Sequence, residues 1–207
     1  SGYYDVGLAF DGDADRLGVV DEKGHVLWAD ELMSIFLPDI IKNGEDILFD
    51  VKCSQALEDM INHYGGNPIM WKTGHSLIKQ KMTELGCKFG GEMSGHIFFA
   101  DDYFGYDDAI YVAARLLELL SKTNKSLSEL RSIIPVYYST PEMRMEAKND
   151  EEKFKITKKA IEYFTKNYDC ITVDGVRILF GDGWGLVRSS NTQPVIVCRF
   201  EANSIDR

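Results

Sequence analysis

No apolar run in these 207 residues approaches the roughly 20 that a membrane-spanning helix needs. The opening SGYYDVGLAF also lacks the basic and then apolar pattern of a secretory signal. A cytoplasmic protein is expected. Cysteine is sparse: Cys53, Cys87, Cys170 and Cys198 lie far apart with no CxxC pair, which argues against a zinc ribbon or a disulfide framework and for reduced, partly buried thiols. Positive charge is in deficit, with 23 Lys and Arg against 33 Asp and Glu and a formal charge of −10, and no basic stripe carries interleaved aromatics. Nucleic acid is therefore an unfavourable partner, whereas a small phosphate ester needs only a few cations and backbone N–H groups gathered locally. Internal repeats and low-complexity tracts are absent too. With 44% hydrophobic residues the chain can bury a sizeable core, as one large or two modest domains.

The pattern that is present reads as α/β. Residues 4–10 and 16–21 predict two strands flanking the acidic turn DGDA, because β-branched and apolar residues crowd both sides of it. A helix is expected over 30–42, a strand over 47–51, a helix over 54–64, a strand over 68–71, and a helix over 76–85 that stops at Gly86. The segment KFGGEMSGHIFF breaks the helical period, and amphipathic helices follow over 107–121 and 126–134. After Pro135 come strand-like VYYSTPEMRME, a charged helix around 150–167, and the runs ITVDGVRILF and LVRSSNTQPVIVCRFEA. The expected fold is a three-layer mixed or parallel α/β domain, then a smaller α+β domain starting near residue 136, with the terminal SIDR placed where a polar helix could begin.

Three loops carry residues suited to chemistry. In the first, Asp11, Asp13 and Asp15 offer the oxygen ligands that a hard cation such as Mg²⁺ takes at roughly 2.0–2.1 Å. Fully extended, Asp11 and Asp15 would stand roughly 13 Å apart at ~3.3 Å per residue, so the loop must curl, which Gly12 permits. Three clustered carboxylates repel one another, and a cation offsets that repulsion. Asp11, Asp13, Asp15 and Glu22 also fit positions of a calcium-binding EF-hand loop, but Arg16 stands where that loop needs glycine and strands replace its helices. A haloacid-dehalogenase-type aspartate pair and a solvated acidic turn are further readings. The second loop, Gly90 to His96, combines glycines able to bring backbone close to a ligand with Glu92, whose carboxylate can accept hydrogen bonds from a sugar diol. The third, Arg188 to Pro194, offers a guanidinium fork, hydroxyls and an amide, a phosphate cradle in composition and equally an ordinary turn.

Taken in this order the loops resemble the α-D-phosphohexomutase family, in particular its phosphomannomutase/phosphoglucomutase branch. The family's DGDGDR appears as DGDADR, GEMSGH is complete at Gly91 to His96, and RxSNTxP appears as RSSNTQP; DVKCS (50–54) and KTGHS (72–76) resemble further segments lining its active site. The resemblance implies that Asp11, Asp13 and Asp15 hold Mg²⁺ together with a phosphoserine oxygen, and that Arg16 contacts phosphate at the catalytic centre. Glu92 and Ser94 would grip sugar hydroxyls, Lys52 and His96 would lie near the reacting end as positioning or proton-transfer groups, and Arg188, Ser190, Asn191 and Thr192 would hold the phosphate that is not transferred. GEMSGH favours the mannose/glucose branch over phosphoglucosamine mutases, whose loop more often reads GEQSGH. The implied activity interconverts hexose 6-phosphate and hexose 1-phosphate through a phosphoserine enzyme and a 1,6-bisphosphate. Residues 1–25 would be the tail of a second domain, 26–135 a third and 136–207 most of a fourth. The family's phosphoserine loop, a TASHNP-like string, does not occur here. The expectation is thus a fragment whose partners include the N-terminal domains of the same enzyme, with a non-catalytic sugar-phosphate-binding module as the alternative.

Overall fold

The computed structural model describes residues 4–207; the first three residues of the 1–25 segment lie outside the described residues. The chain divides into two compact units, one up to Pro135 and one over Val136–Arg207.

In the first unit, β1 (Val6–Phe10), β2 (Leu17–Asp21) and β3 (Val26–Leu27) form an antiparallel sheet. The register closes on Phe10↔Leu17, so the acidic turn 11–16 is a hairpin loop. There follow α1 (Ala29–Ile40), β4 (Asp46–Asp50), α2 (Gln55–His63), β5 (Asn67–Trp71), α3 (His75–Leu85), β6 (Phe89–Gly91), β7 (Ile97–Phe99), α4 (Ala109–Ser121) and α5 (Leu127–Arg131). The second sheet runs β5-β4-β6-β7, with β4 parallel to β5 and β6 and β7 antiparallel to β6. Ile47, Leu48 and Phe49 of β4 are all buried, as a parallel strand covered on both faces requires. On one face Leu48 packs with Ile78 and Met82 of α3, Cys87 and Phe98. On the other, Phe36 of α1 meets Phe89 and Phe99 edge-on at 6.1 and 5.1 Å, and Phe99 meets Tyr111 of α4. Helices on both faces of the sheet make the unit three-layered and mixed, in line with the sequence expectation. Segments 51–54, 72–74 and 92–96 leave the carboxyl ends of β4, β5 and β6, the end of an α/β sheet where ligands bind.

Helix boundaries shift where caps decide them. Asp108 accepts hydrogen bonds from the N–H groups of Ile110 and Tyr111, so α4 starts at Ala109 and Asp107 falls in the preceding loop. Gly86 ends α3 with φ 67°, the left-handed position expected of it. The 126–134 helix is reduced to α5 by a capping box at Ser126 and an early end at Arg131.

The second unit contains β8 (Tyr138–Ser139), β9 (Met143–Glu146), α6 (Asp150–Phe164), β10 (Asp169–Ile171), β11 (Val176–Leu179), β12 (Gly183–Ser189) and β13 (Val195–Ala202). Its sheet is antiparallel, β10-β11-β12-β13-β8, with β9 also on β13, and α6 packs against it. The β12–β13 register ends at Ser189↔Ile196, so Arg188 and Ser189 of the RSSNTQP segment close β12 and residues 190–194 form the hairpin loop. The terminal SIDR forms a turn instead of a helix. Among the described residues no helix is long and apolar enough to cross a membrane.

Candidate active site

The acidic loop curls as its chemistry demands. Ala14 N–H donates to the Asp11 carbonyl at 3.3 Å, and Ala14 itself takes φ 57°, the left-handed conformation that explains why glycine suits this position. Oxygens of Asp11, Asp13 and Asp15 lie within 4.8 Å of one another. In an octahedron with ligands at roughly 2.0–2.1 Å, adjacent ligands stand roughly 2.9 Å and opposite ones roughly 4.1 Å apart, so the three oxygens suit Mg²⁺ in kind and draw together to hold it. Arg16 is the loop's own counter-ion: its Nε lies 2.5 Å from Asp11 Oδ2 and 3.6 Å from Asp15 Oδ1. Burial raises and Arg16 lowers the Asp11 carboxyl, and Arg16 prevails, holding it below its ordinary value. Asp15 goes the other way. Burial lifts it, His96 opposes, and the charges of Asp13, Asp11 and Asp107 add to the rise.

The Gly90–His96 segment is tied to this loop. Leu17 N–H donates to Gly95 O at 3.2 Å, and a Cβ at Gly95 (φ 109°) would sit 3.2 Å from Arg16 Cβ. His96 Nδ1 thereby comes within 3.7 Å of Asp15 Oδ2. The glycines have a different role from the one their sequence suggests. A Cβ at Gly90 would stand 2.7 Å from Leu48 O, and one at Gly91 2.7 Å from Met33 Sδ, so both serve strand packing and not approach to a ligand. Glu92 is 2% exposed, its Oε1 accepting from Gly74 N–H, while Ser94 is exposed at the turn.

Several residues that sequence reasoning passed over organise this centre. Asp50, fully buried, accepts from Thr73 Oγ1 at 2.8 Å, Cys53 Sγ at 3.2 Å and Met93 N–H at 3.1 Å, joining the three segments at the carboxyl ends of β4, β5 and β6. Lys52, itself buried, places Nζ 4.0 Å from Asp50 Oδ2. Burial first, and Asp50 second, push the Glu92 carboxyl up to about 7, against the Gly74 N–H and Lys52, which favour its ionised form. Asp107 gathers a further group, with Lys79 Nζ at 2.7 Å on Oδ1 and His96 Nδ1 at 3.0 Å and His75 Nδ1 at 3.2 Å on Oδ2; the two imidazoles stack at 5.4 Å.

In the second unit Arg188 is buried, its Nε donating to Asp174 Oδ2 at 2.9 Å, and its Nη2 has no hydrogen-bond partner among the described residues. The guanidinium is therefore an anchored group and not an open surface fork. Buried Lys153 on α6 donates to the carbonyls of Ser190 and Gln193 at 2.9 and 3.1 Å, and Thr192 N–H donates to Ser190 Oγ at 3.3 Å. Asn191 and Thr192 are exposed. The Asp174-Gly175 turn was the one local sign of these supports, and nothing in the sequence marks Lys153 among the other lysines of α6.

The model of the phosphoglucomutase/phosphomannomutase alpha/beta/alpha domain III matches residues 28–137, and that of the C-terminal domain matches 142–207. A Pseudomonas putida phosphomannomutase/phosphoglucomutase is 49% identical over 207 residues, covering 97% of this chain and 44% of that protein. A Neisseria gonorrhoeae phosphoglucomutase is 42% identical, covering 99% and 45%. A Burkholderia thailandensis phosphoglucomutase/phosphomannomutase family protein superposes with TM-score 0.89 at 42% identity, over 97% of this chain and 43% of that one. Aspergillus fumigatus N-acetylphosphoglucosamine mutase, in complex with GlcNAc-6P and magnesium, superposes with TM-score 0.70 at 15% identity, over 96% and 49%, which shows likeness of fold alone. This chain spans less than half the length of the curated relatives it matches. With one domain model covering more than half of its residues and a second covering most of the rest, the chain belongs to the phosphoglucomutase/phosphomannomutase family.

Proposed function

We propose that the chain is the metal-, sugar- and phosphate-binding part of a phosphomannomutase/phosphoglucomutase that interconverts hexose 6-phosphate and hexose 1-phosphate through a phosphoserine and a 1,6-bisphosphate. The observation that carries this reading is the joining of the acidic loop to the Glu92 loop by Leu17 N–H and Gly95 O. Two loops of different chemistry, one for charge and one for hydroxyls, thus share one site. Residues 1–25 are read as the end of the preceding domain, supported by a domain III match that begins at residue 28.

In this reading Asp11, Asp13 and Asp15 hold Mg²⁺, which when bound neutralises charge on phosphoryl oxygens. Arg16, half-exposed, turns its remaining N–H groups to the same phosphate. Glu92 accepts hydrogen bonds from adjacent sugar hydroxyls, with Ser94 at the rim. Lys52 and His96 lie near the reacting end as positioning or proton-transfer groups: the hydroxyl that attacks the phosphoryl group gives its proton to one of them as the bond from phosphorus to the serine oxygen breaks, and a proton is passed on to that serine oxygen. The chain itself contains no TASHNP-like serine loop, so catalysis depends on a segment outside these residues. Arg188, Ser190, Asn191 and Thr192 hold the far phosphate, and binding energy from it orients the reacting end.

Two measurements test the assignment. Asp13→Asn removes the exposed member of the carboxylate set and should weaken Mg²⁺ by about tenfold, a loss of about 1.4 kcal/mol, in titration calorimetry, with the fold unchanged; equal binding would leave the loop a plain acidic turn. Glu92→Ala should weaken glucose 6-phosphate by about 1–3 kcal/mol and spare inorganic phosphate, whereas Arg188→Ala should weaken both alike. A common ratio of losses for the two ligands in both variants would refute the division of labour.

A further inference from the structure

The Lys153 side chain on α6 is only 3% exposed, and an apolar residue would fill its space without the cost of burying a charge. Its three ammonium hydrogens meet three acceptors: Ser190 O at 2.9 Å, Gln193 O at 3.1 Å and Asp150 Oδ1 at 2.7 Å. We propose that Lys153 is a positioning residue for anion binding by the 188–194 loop, and that Asp150 sets how much of its charge the anion feels. The inference rests on the reading of that loop as a phosphate site, and every contact it uses lies within the second unit.

A loop takes an anion with N–H groups and side-chain donors, whereas a carbonyl turned outward repels it. Four carbonyls of this hairpin are turned to the protein instead. Lys153 takes Ser190 O and Gln193 O; Gln193 O also accepts from Val195 N–H at 2.8 Å, Pro194 O from Ala147 N–H at 2.8 Å, and Val195 O from Ser190 N–H at 2.9 Å. Arg144 Nη1 holds the Gln193 side-chain oxygen at 3.2 Å. Asn191 and Thr192 stay exposed, and Arg188 Nη2 has no hydrogen-bond partner among the described residues. Lys153 therefore keeps two negative carbonyl ends away from an anion and places a positive charge beneath it. Asp150 opposes that charge, but its side chain is 70% exposed. Water screens an exposed carboxylate more than a buried ammonium, so the field of the pair at the loop is net positive.

Methyl phosphate and methyl sulfate serve as probes, titrated into the full chain with amide shifts read at residues 188–194. At about pH 8 the first is a dianion and the second a monoanion of the same tetrahedral shape. Asp150→Asn keeps an acceptor for Lys153 and removes the opposing charge. It should tighten methyl phosphate about two- to fivefold, and methyl sulfate by about the square root of that factor. Glu151→Gln removes an exposed charge of the same turn that is not paired with Lys153, and should gain less for either anion. Lys153→Gln should weaken methyl phosphate more than about tenfold, and methyl sulfate less. A purely structural lysine would affect both anions alike and would not let Asp150→Asn tighten either. Asp150 lies on the surface, so its variant carries the test even where Lys153→Gln does not fold. Wild-type shifts that fall outside 188–194 would remove the phosphate reading and this inference together. Shifts at the loop with unchanged affinity in Asp150→Asn, equal gains for the two anions, or an equal gain in Glu151→Gln would overturn this inference alone.

Discussion

Gly175→Ala is expected to destabilise the second unit by about 2–5 kcal/mol and to weaken the phosphate binding proposed for it, although residue 175 lies outside the RSSNTQP loop. Gly175 has φ 71°, a conformation that disfavours any Cβ. A Cβ built there falls on the Val187 carbonyl oxygen and within 2.7 and 2.8 Å of Arg188 Cα and Cβ. These neighbours are backbone and strand, so relief requires β12 to move, and with it the arginine that Asp174 anchors at 2.9 Å. The αL penalty contributes about 1–2 kcal/mol and the overlap about 1–3. Gly181→Ala separates the two contributions. Gly181 has φ 83° with nothing within 4 Å of its Cβ position, so that substitution should show the conformational penalty alone. Hydrogen exchange of β12 amides, with phosphate titrations of both variants, reads the difference; equal protection in the two would mean that β12 yields freely at Arg188.

The contrast between these glycines shows where sequence reading succeeds and where it stops. Local signals were legible: Gly86 ends α3 as a helix stop should, apolar spacing located α2, α4 and β4, and the crowd of aspartates at 11–15 required a curled loop. Glycine function was not, because Gly90 and Gly91 are set by Leu48 and Met33, residues far away in the chain. The same holds for the supporting polar groups. Asp50 looks like the polar end of an apolar strand until Thr73 and Met93, from two other segments, are seen to converge on it. Asp107 was readable only as a helix start, yet capping falls to Asp108 and frees Asp107 to face His96. Arg188 was legible as a cation, but not as a buried one anchored by Asp174, which lies fourteen residues before it across a strand pair. Such hydrogen bonds form only after the chain has packed, and no window of neighbouring residues displays them.

Glu92 gives the other large effect, with opposite consequences for stability and binding. Its carboxyl is raised from 4.5 to about 7, by burial first and Asp50 second, with Asp107 adding to the rise and Gly74 N–H and Lys52 opposing it. Below about pH 4.5 the group is protonated folded or unfolded, and pH has no leverage through it. Between about pH 4.5 and 7 the unfolded chain releases the proton while the folded one retains it, so stability falls as pH rises, levelling off above about pH 7 at a loss of about 3 kcal/mol. Glu92→Gln stays neutral and can still accept from Gly74 N–H. It should therefore match the wild type near pH 4 and exceed it by about 3 kcal/mol near pH 8, read by chemical denaturation at each pH. The proposed sugar contact requires the ionised group, since a carboxylate accepts from two hydroxyls more strongly than an amide does. Wild-type affinity for glucose 6-phosphate, divided by that of Glu92→Gln, should thus rise about tenfold or more as pH passes through 7, the ratio cancelling the titration of the phosphate itself. A flat ratio with the stability difference intact would leave Glu92 a buried acid remote from the sugar, and a flat stability difference would remove the raised carboxyl on which both expectations stand.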